Sequence, residues 1–222
     1  MPLSDKILSF LKKLELRAEL PKDVGVMNPF KDEATFSLCK KFYKKYYSDD
    51  HPRHLILGIN PGRFGGGVTG VPFTDPIRLQ VNCGIDNDFS KRQELSSVFI
   101  YEMINAYGGP GIFYDRFYIS AISPLGFTKN NRNMNYYDDR QLESSIRNFV
   151  IDSINRQLEF PVKRDVVFCL GEGKNFTYLS KLNDEQKFFY KIVPLAHPRF
   201  IMQYKLKKKE EYIQRYLREM GK

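Results

Sequence analysis

Residues 165–171 read Asp-Val-Val-Phe-Cys-Leu-Gly, an unbroken apolar run between a charge and a glycine. Successive side chains of a strand point to opposite faces, so such a run requires a sheet covered on both sides. Residues 54–59 (HLILGI), 116–122 (RFYISAI) and 191–196 (KIVPLA) are short apolar segments of similar kind. Helical patterns separate them. Residues 3–16 and 32–47 read as helices, the second with Phe36, Cys39, Phe42, Tyr43 and Tyr46 on one face. Residues 92–107 follow, and then 138–158, with Leu142, Ile146, Phe149, Val150, Ile154 and Leu158 on one stripe. Asp138 and Asp139 sit where a helix N-terminus favours negative charge, and a basic helix over 205–219 closes the chain. Helices alternating with short apolar strands predict a three-layer α/β/α sandwich around a central, mainly parallel four-stranded sheet.

At 222 residues, with 42% hydrophobic and 27% charged content, the chain is expected to form one domain over 1–222 around one core. No apolar run approaches the roughly 18 residues of a membrane helix, and the first ten residues lack a basic segment followed by a long apolar one. A cytoplasmic location is expected, or a nuclear one in a eukaryote. Cys39, Cys83 and Cys169 are odd in number and widely spaced, which indicates neither a disulfide framework nor a metal site. No cofactor is expected. The net charge of +9 favours a polyanionic partner without identifying it.

In open sheets of this type ligands bind beyond the carboxyl ends of the strands. The segments after residues 59, 122, 170 and 195 are therefore the places for a site: NPGRFGGGVTGVPF, SPLGFTKNNRNMNYY, GEGKN and AHPRF. Gly62, Gly65, Gly66, Gly67 and Gly70 let backbone N–H groups approach a ligand closely, and Pro61 and Pro72 stiffen the loop. Neither this loop nor GEGKN carries the spacing of a nucleotide-binding P-loop or dinucleotide fingerprint.

GINPGRFGGGVTGVPF at 58–73 and AHPRF at 196–200 together resemble the two signature motifs of the uracil-DNA glycosylase superfamily, most closely its single-strand-selective monofunctional branch. Such enzymes flip a damaged base out of DNA and read it by stacking and hydrogen bonds. The resemblance implies that Phe73 stacks on the base while Gly62, Phe64, Gly65 and Gly66 surround it. His197 would donate a hydrogen bond to the oxyanion that develops on the departing base, and Asn60 would hold the attacking water. An amide orients water but takes no proton from it, which implies a dissociative path in which base departure comes first. No lysine lies in either motif, so no covalent intermediate is implied, and the product would be an abasic site in an uncut strand.

The sequence departs from the branch at one position. Three residues before the proline of its middle segment the branch usually carries an asparagine that reads the base edge; counting back from Pro124 gives Ala121. Asn130, Asn131, Asn133 or Asn135 could supply the missing amide, and Ser120 or Ser123 a partial substitute. Arg199, Phe200, Lys205 and Lys207, in a segment that mixes basic with apolar residues, would contact DNA by meeting phosphates and filling the gap left by the flipped base. The resemblance thus implies DNA as the partner, and the protein is expected to act as a monomer.

Plainer readings stand beside these. His197 and Asn60 could cap turns and Phe73 could be core. His51 and His54 read as surface residues, Asp75 as a turn residue before Pro76, and Lys207–Lys209 as a solvated helix face. A glycosylase-like protein that binds nucleic acid or a free base without chemistry, and a hydrolase of free nucleosides, remain the alternative functions.

Overall fold

The computed structural model describes residues 1–222. Helix α1 (Leu3–Lys12) leads through strand β1 (Val24–Met27) to α2 (Glu33–Tyr46). Asp32 starts α2, its Oδ1 accepting from the Thr35 N–H at 2.8 Å, and Leu38, Cys39, Phe42 and Tyr43 form the buried face. Strand β2 (Arg53–Gly58) runs into a glycine turn and two short helices, α3 (Gly66–Thr69) and α4 (Pro76–Val81). Then come α5 (Leu95–Tyr107), α6 (Pro110–Arg116) and β3 (Phe117–Ala121), followed by β4 (Gly126–Lys129) and β5 (Arg132–Met134). The second half comprises α7 (Arg140–Ser145), α8 (Arg147–Leu158), β6 (Val162–Leu170), α9 (Lys174–Gln186), β7 (Lys191–Leu195), α10 (Pro198–Tyr204) and α11 (Lys209–Glu219).

The main sheet has the order β3-β2-β6-β7, and every pairing is parallel. Leu55, Ile56 and Leu57 of β2 and Val167, Phe168 and Cys169 of β6 are buried whichever way they point, as a sheet covered on both faces demands. Helices α1, α2 and α8 form one packed group and α5, α10 and α11 another, giving the three-layer sandwich. Because all four strands run the same way, their carboxyl ends share one edge. The three cysteines are buried and unbridged.

Several local expectations are corrected. The stripe over 138–158 is two helices that meet at Ile146, although Leu142, Ile146, Val150 and Ile154 are all buried as expected. The terminal helix begins at Lys209, after a 3-10 turn over Leu206–Lys208. A second, antiparallel sheet in the order β1-β4-β5 was not anticipated. Its β4–β5 hairpin turns at Asn130 and Asn131, both with positive φ, which asparagine tolerates better than most residues. His54 lies within β2, half-buried between Phe117 and Phe168, rather than in a surface loop.

Candidate active site

The glycine turn after β2, the ends of β3 and β7, the start of α5 and the β5 strand enclose one cavity. Asn60, Gly62, Gly66, Phe73, Ala121, His197 and Arg199 all border it, as do buried Leu11, Tyr43 and Tyr118. The turn is tightly built. Gly62 O accepts from Gly67 N at 2.8 Å and from Gly65 N at 3.4 Å, and a Cβ on Gly67 would come within 2.6 Å of that carbonyl. Gly58 makes room for the Phe73 ring, since a Cβ there would lie 2.8 Å from Cε2. Phe73 itself has φ +52°, a left-handed conformation that is costly for an aromatic residue and characteristic of functional positions.

His197 joins β7 to α10 and serves as the N-cap of that helix: its Nδ1 accepts from the Arg199 N–H at 3.1 Å, with Pro198 in the first helical position. An accepting Nδ1 carries no proton, so the neutral ring bears its hydrogen on Nε2. Burial, with the Arg199 charge as a smaller cause, lowers the imidazole pKa to about 4 and keeps the ring neutral at pH 7. Its centroid is 5.9 Å from that of Phe73.

The amide of Asn60 is held at both ends. Nδ2 donates to Met134 O at 3.2 Å and to Pro61 O at 3.4 Å, while Oδ1 accepts from the Tyr136 N–H at 3.1 Å. The side chain therefore ties the glycine turn to the β5 segment and is not merely the cap of its own turn.

Ala121, paired with Gly58 in the sheet, borders the cavity with only a methyl group. Of the residues considered as substitutes, Ser120, Asn133 and Asn135 border the cavity, whereas Asn130 and Asn131 form the hairpin turn and Ser123 donates to Leu125 O. Asn133 Oδ1 accepts from the Arg63 N–H at 3.1 Å, which leaves its Nδ2 as the free end.

Two residues expected around the base stand elsewhere. Phe64 lies outside the cavity wall, with the Arg92 guanidinium 3.5 Å and that of Arg63 5.2 Å from its ring centroid. Gly65 is separated from the cavity by Glu94, whose Oε2 occupies the space a Cβ would need. Sequence reasoning missed Glu94 because a glutamate at a helix start reads as an ordinary first-turn acid. Asp75, expected as a turn residue, is the N-cap of α4, with Oδ1 accepting from Arg78 N and Oδ2 from Glu94 N.

Beyond the cavity, Phe200 and Tyr204 of α10 are exposed with their rings 5.7 Å apart, and Lys205 and Lys207 are exposed next to them. Lys208 pairs with Glu211, and Lys209 with Glu102 at 2.5 Å, so part of the basic run is neutralised within the fold. Asp49, His51 and Asp115 bring possible metal-ligating atoms together, but Arg53 engages both Asp49 oxygens and none of the three borders the cavity. No helix is long and apolar enough to cross a membrane.

The sequence profile of the Uracil DNA glycosylase superfamily matches residues 44–221. The crystal structure of wild-type Pedobacter heparinus SMUG2 is 50% identical to this chain and superposes with a TM-score of 0.96, covering 98% of this chain and 96% of that one. No curated protein matches the sequence. A family match over most of the chain and a half-identical relative with the same architecture establish that the chain belongs to the uracil-DNA glycosylase superfamily, in its SMUG-type branch.

Proposed function

We propose that the protein is a monofunctional DNA glycosylase that hydrolyses the N-glycosidic bond of uracil or a related damaged base and leaves an abasic site in DNA. The observation that carries this reading is the convergence of Asn60, Phe73 and His197 on one cavity at the carboxyl edge of the sheet. A flipped base stacks on Phe73, and the Gly62 and Gly66 backbone lines its edge. As the bond to the sugar breaks, negative charge gathers on the base, and the neutral imidazole of His197 donates Nε2–H to it. A donor already fixed by Arg199 N and Pro198 needs no reorganisation at that moment, which is where electrostatic catalysis gains most. Asn60 positions the water that then meets the cationic sugar. Arg199 borders the cavity beside exposed Phe200, Lys205 and Lys207, an arrangement that suits a wedge flanked by phosphate contacts.

One observation favours a second reading, in which the protein binds bases without cleaving them: the Asn60 amide is already engaged by backbone at both ends. A uracil-bearing oligonucleotide incubated with the protein and then treated with alkali separates the two. Strand breakage only after alkali supports the glycosylase. Salt-dependent binding without abasic sites on uracil, hypoxanthine, xanthine or 5-hydroxymethyluracil supports the binding protein.

A further inference from the structure

Glu94 is the one carboxyl that borders the cavity, and neither base stacking, oxyanion stabilisation nor water positioning uses it. It stands at the N-cap of the thirteen-residue helix α5, where an acid ordinarily accepts from the helix's first N–H groups, yet its side chain makes no such bond. Asp75 holds the residue instead through the Glu94 N–H at 2.9 Å, which leaves the carboxyl free to turn toward the glycine turn. There it fills the room that Gly62 and Gly65 leave. A Cβ on Gly65 would collide with Oε2, and one on Gly62 would lie 3.1 Å from Oε1. Glycines and acid are therefore one construction: a side chain at 65 would displace the carboxyl, and one at 62 would press on it. Ser97 Oγ donates to Oε2 at 3.1 Å and sets its orientation, while Oε1 has no hydrogen-bond partner in the protein.

We propose that Glu94 is a specificity-determining residue of the base pocket, which in its neutral form donates a hydrogen bond from Oε1 to the edge of the bound base. The inference rests on the glycosylase reading above. Its chemical ground is the charge that develops during cleavage. A carboxylate facing a base that is becoming an anion opposes departure, whereas a carboxylic acid donates to it. The Ala121 side chain supplies no hydrogen bond, so a donor elsewhere in the wall has a use. The surroundings allow the neutral form: burial, and less strongly the Asp75 charge, raise the Glu94 pKa to about 7 against the opposing pull of Ser97 and Arg199. The other ionisable groups on the cavity, His197, Tyr43 and Tyr118, are neutral at that pH, and Arg199 is its one fixed cation.

The test is the single-turnover excision rate from pH 5.5 to 9 for the wild type, Glu94→Gln, Glu94→Ala and Ser97→Ala, on uracil, xanthine and 5-hydroxymethyluracil in oligonucleotides. The wild-type rate should be level below pH 7 and fall by up to tenfold per unit above it. Glu94→Gln, a permanent donor, should stay within a few-fold of wild type at low pH and lose the alkaline fall. Glu94→Ala should lose tenfold or more and change the ranking of the three bases. Ser97→Ala, which removes a bond favouring the carboxylate, should move the alkaline fall to higher pH. Thermal melts identify any variant whose loss is one of folding, and the Ser97→Ala shift gives a readout that a merely structural Glu94 would not move. A rate that rises through pH 7, or identical pH profiles and base rankings in wild type and Glu94→Gln, overturns the proposal while leaving the glycosylase intact. A wild type inactive on every base overturns both.

Discussion

The ring of Phe73 lies 5.9 Å from that of His197, inclined at 53°, although the two residues are 124 positions apart in the sequence. Both positions are fixed by the fold. Phe73 holds a left-handed backbone conformation against the bare Cα of Gly58, and His197 is locked as a helix cap. The aromatic face and the imidazole are thus fixed before any ligand arrives, which spares the bound complex the entropy of ordering them.

Removing the stacking face should weaken the site without unfolding the protein. Stacking of a base on an aromatic ring is worth about 1–3 kcal/mol by alanine substitution, so Phe73→Ala should lower kcat/KM by roughly 5- to 150-fold. Gly58→Ala, whose methyl would press on Cε2 and Cζ of the ring, should reproduce much of that loss from beneath. Steady-state kinetics on a uracil-bearing strand check both. Full activity in either variant would mean that the ring is core packing and nothing more.

The glycine turn admits no side chain at residue 67. In Gly67→Ala the new methyl would meet Gly62 O at 2.6 Å and Met27 Sδ at 2.7 Å, so backbone must move. Overpacking of this kind costs about 1–3 kcal/mol, and a lower urea midpoint together with a large loss of excision is expected. A stable and fully active variant would show that the cradle is softer than its geometry implies.

Stability should depend on pH with two opposed contributions. Burial lowers the pKa of folded His197 to about 4, below the ordinary imidazole value of 6.5, so between these the unfolded chain binds a proton that the folded one refuses. This contribution is intact above pH 6.5 and is lost as pH falls toward 4. Burial raises the pKa of folded Glu94 to about 7, above the ordinary carboxyl value of 4.5, so its contribution is intact below pH 4.5 and is lost as pH rises toward 7. Urea denaturation across pH 4–8 should show the acid-side loss diminished in His197→Gln and the opposite trend diminished in Glu94→Gln. Unchanged pH dependence in both variants would contradict the burial of these groups.

DNA should be gripped at more than one place on the rim. Arg63 and Arg92, stacked about Phe64, form no ion pair within the protein, and neither do Lys205 and Lys207. Alanine at each residue that meets a phosphate should reduce the slope of log K against log salt by about 0.7–0.9. Slopes identical to wild type would exclude that residue from the interface.

Much of this was legible in the sequence because the controlling signals are local. The apolar runs at 54–59 and 165–171 fix a sheet buried on both faces, and the spacing of Phe36, Cys39, Phe42 and Tyr43 fixes the facing of α2. The GINPGRFGGGVTGVPF and AHPRF segments carried the family, and Asn60, Phe73 and His197 do share a cavity. What stayed hidden depends on contacts distant in sequence. Strands β1 and β5 are short and partly exposed, so neither alternation nor a continuous apolar run marks them. Glu94 acquires its position only when the glycine turn folds back on α5, and Phe64 leaves the cavity because two arginines, one of them 28 residues away in sequence, hold its ring outside.

Phe73 and His197 are placed to hold the same flat heterocycle, and a crystal of the protein soaked with uracil shows whether they do. The ring is predicted to lie parallel to Phe73 with a carbonyl oxygen about 3 Å from His197 Nε2, the distance of an ordinary hydrogen bond. Uracil bound with no contact to either residue, or a cavity that stays empty at saturating uracil while the protein remains active on DNA, would show that the two residues share no such role.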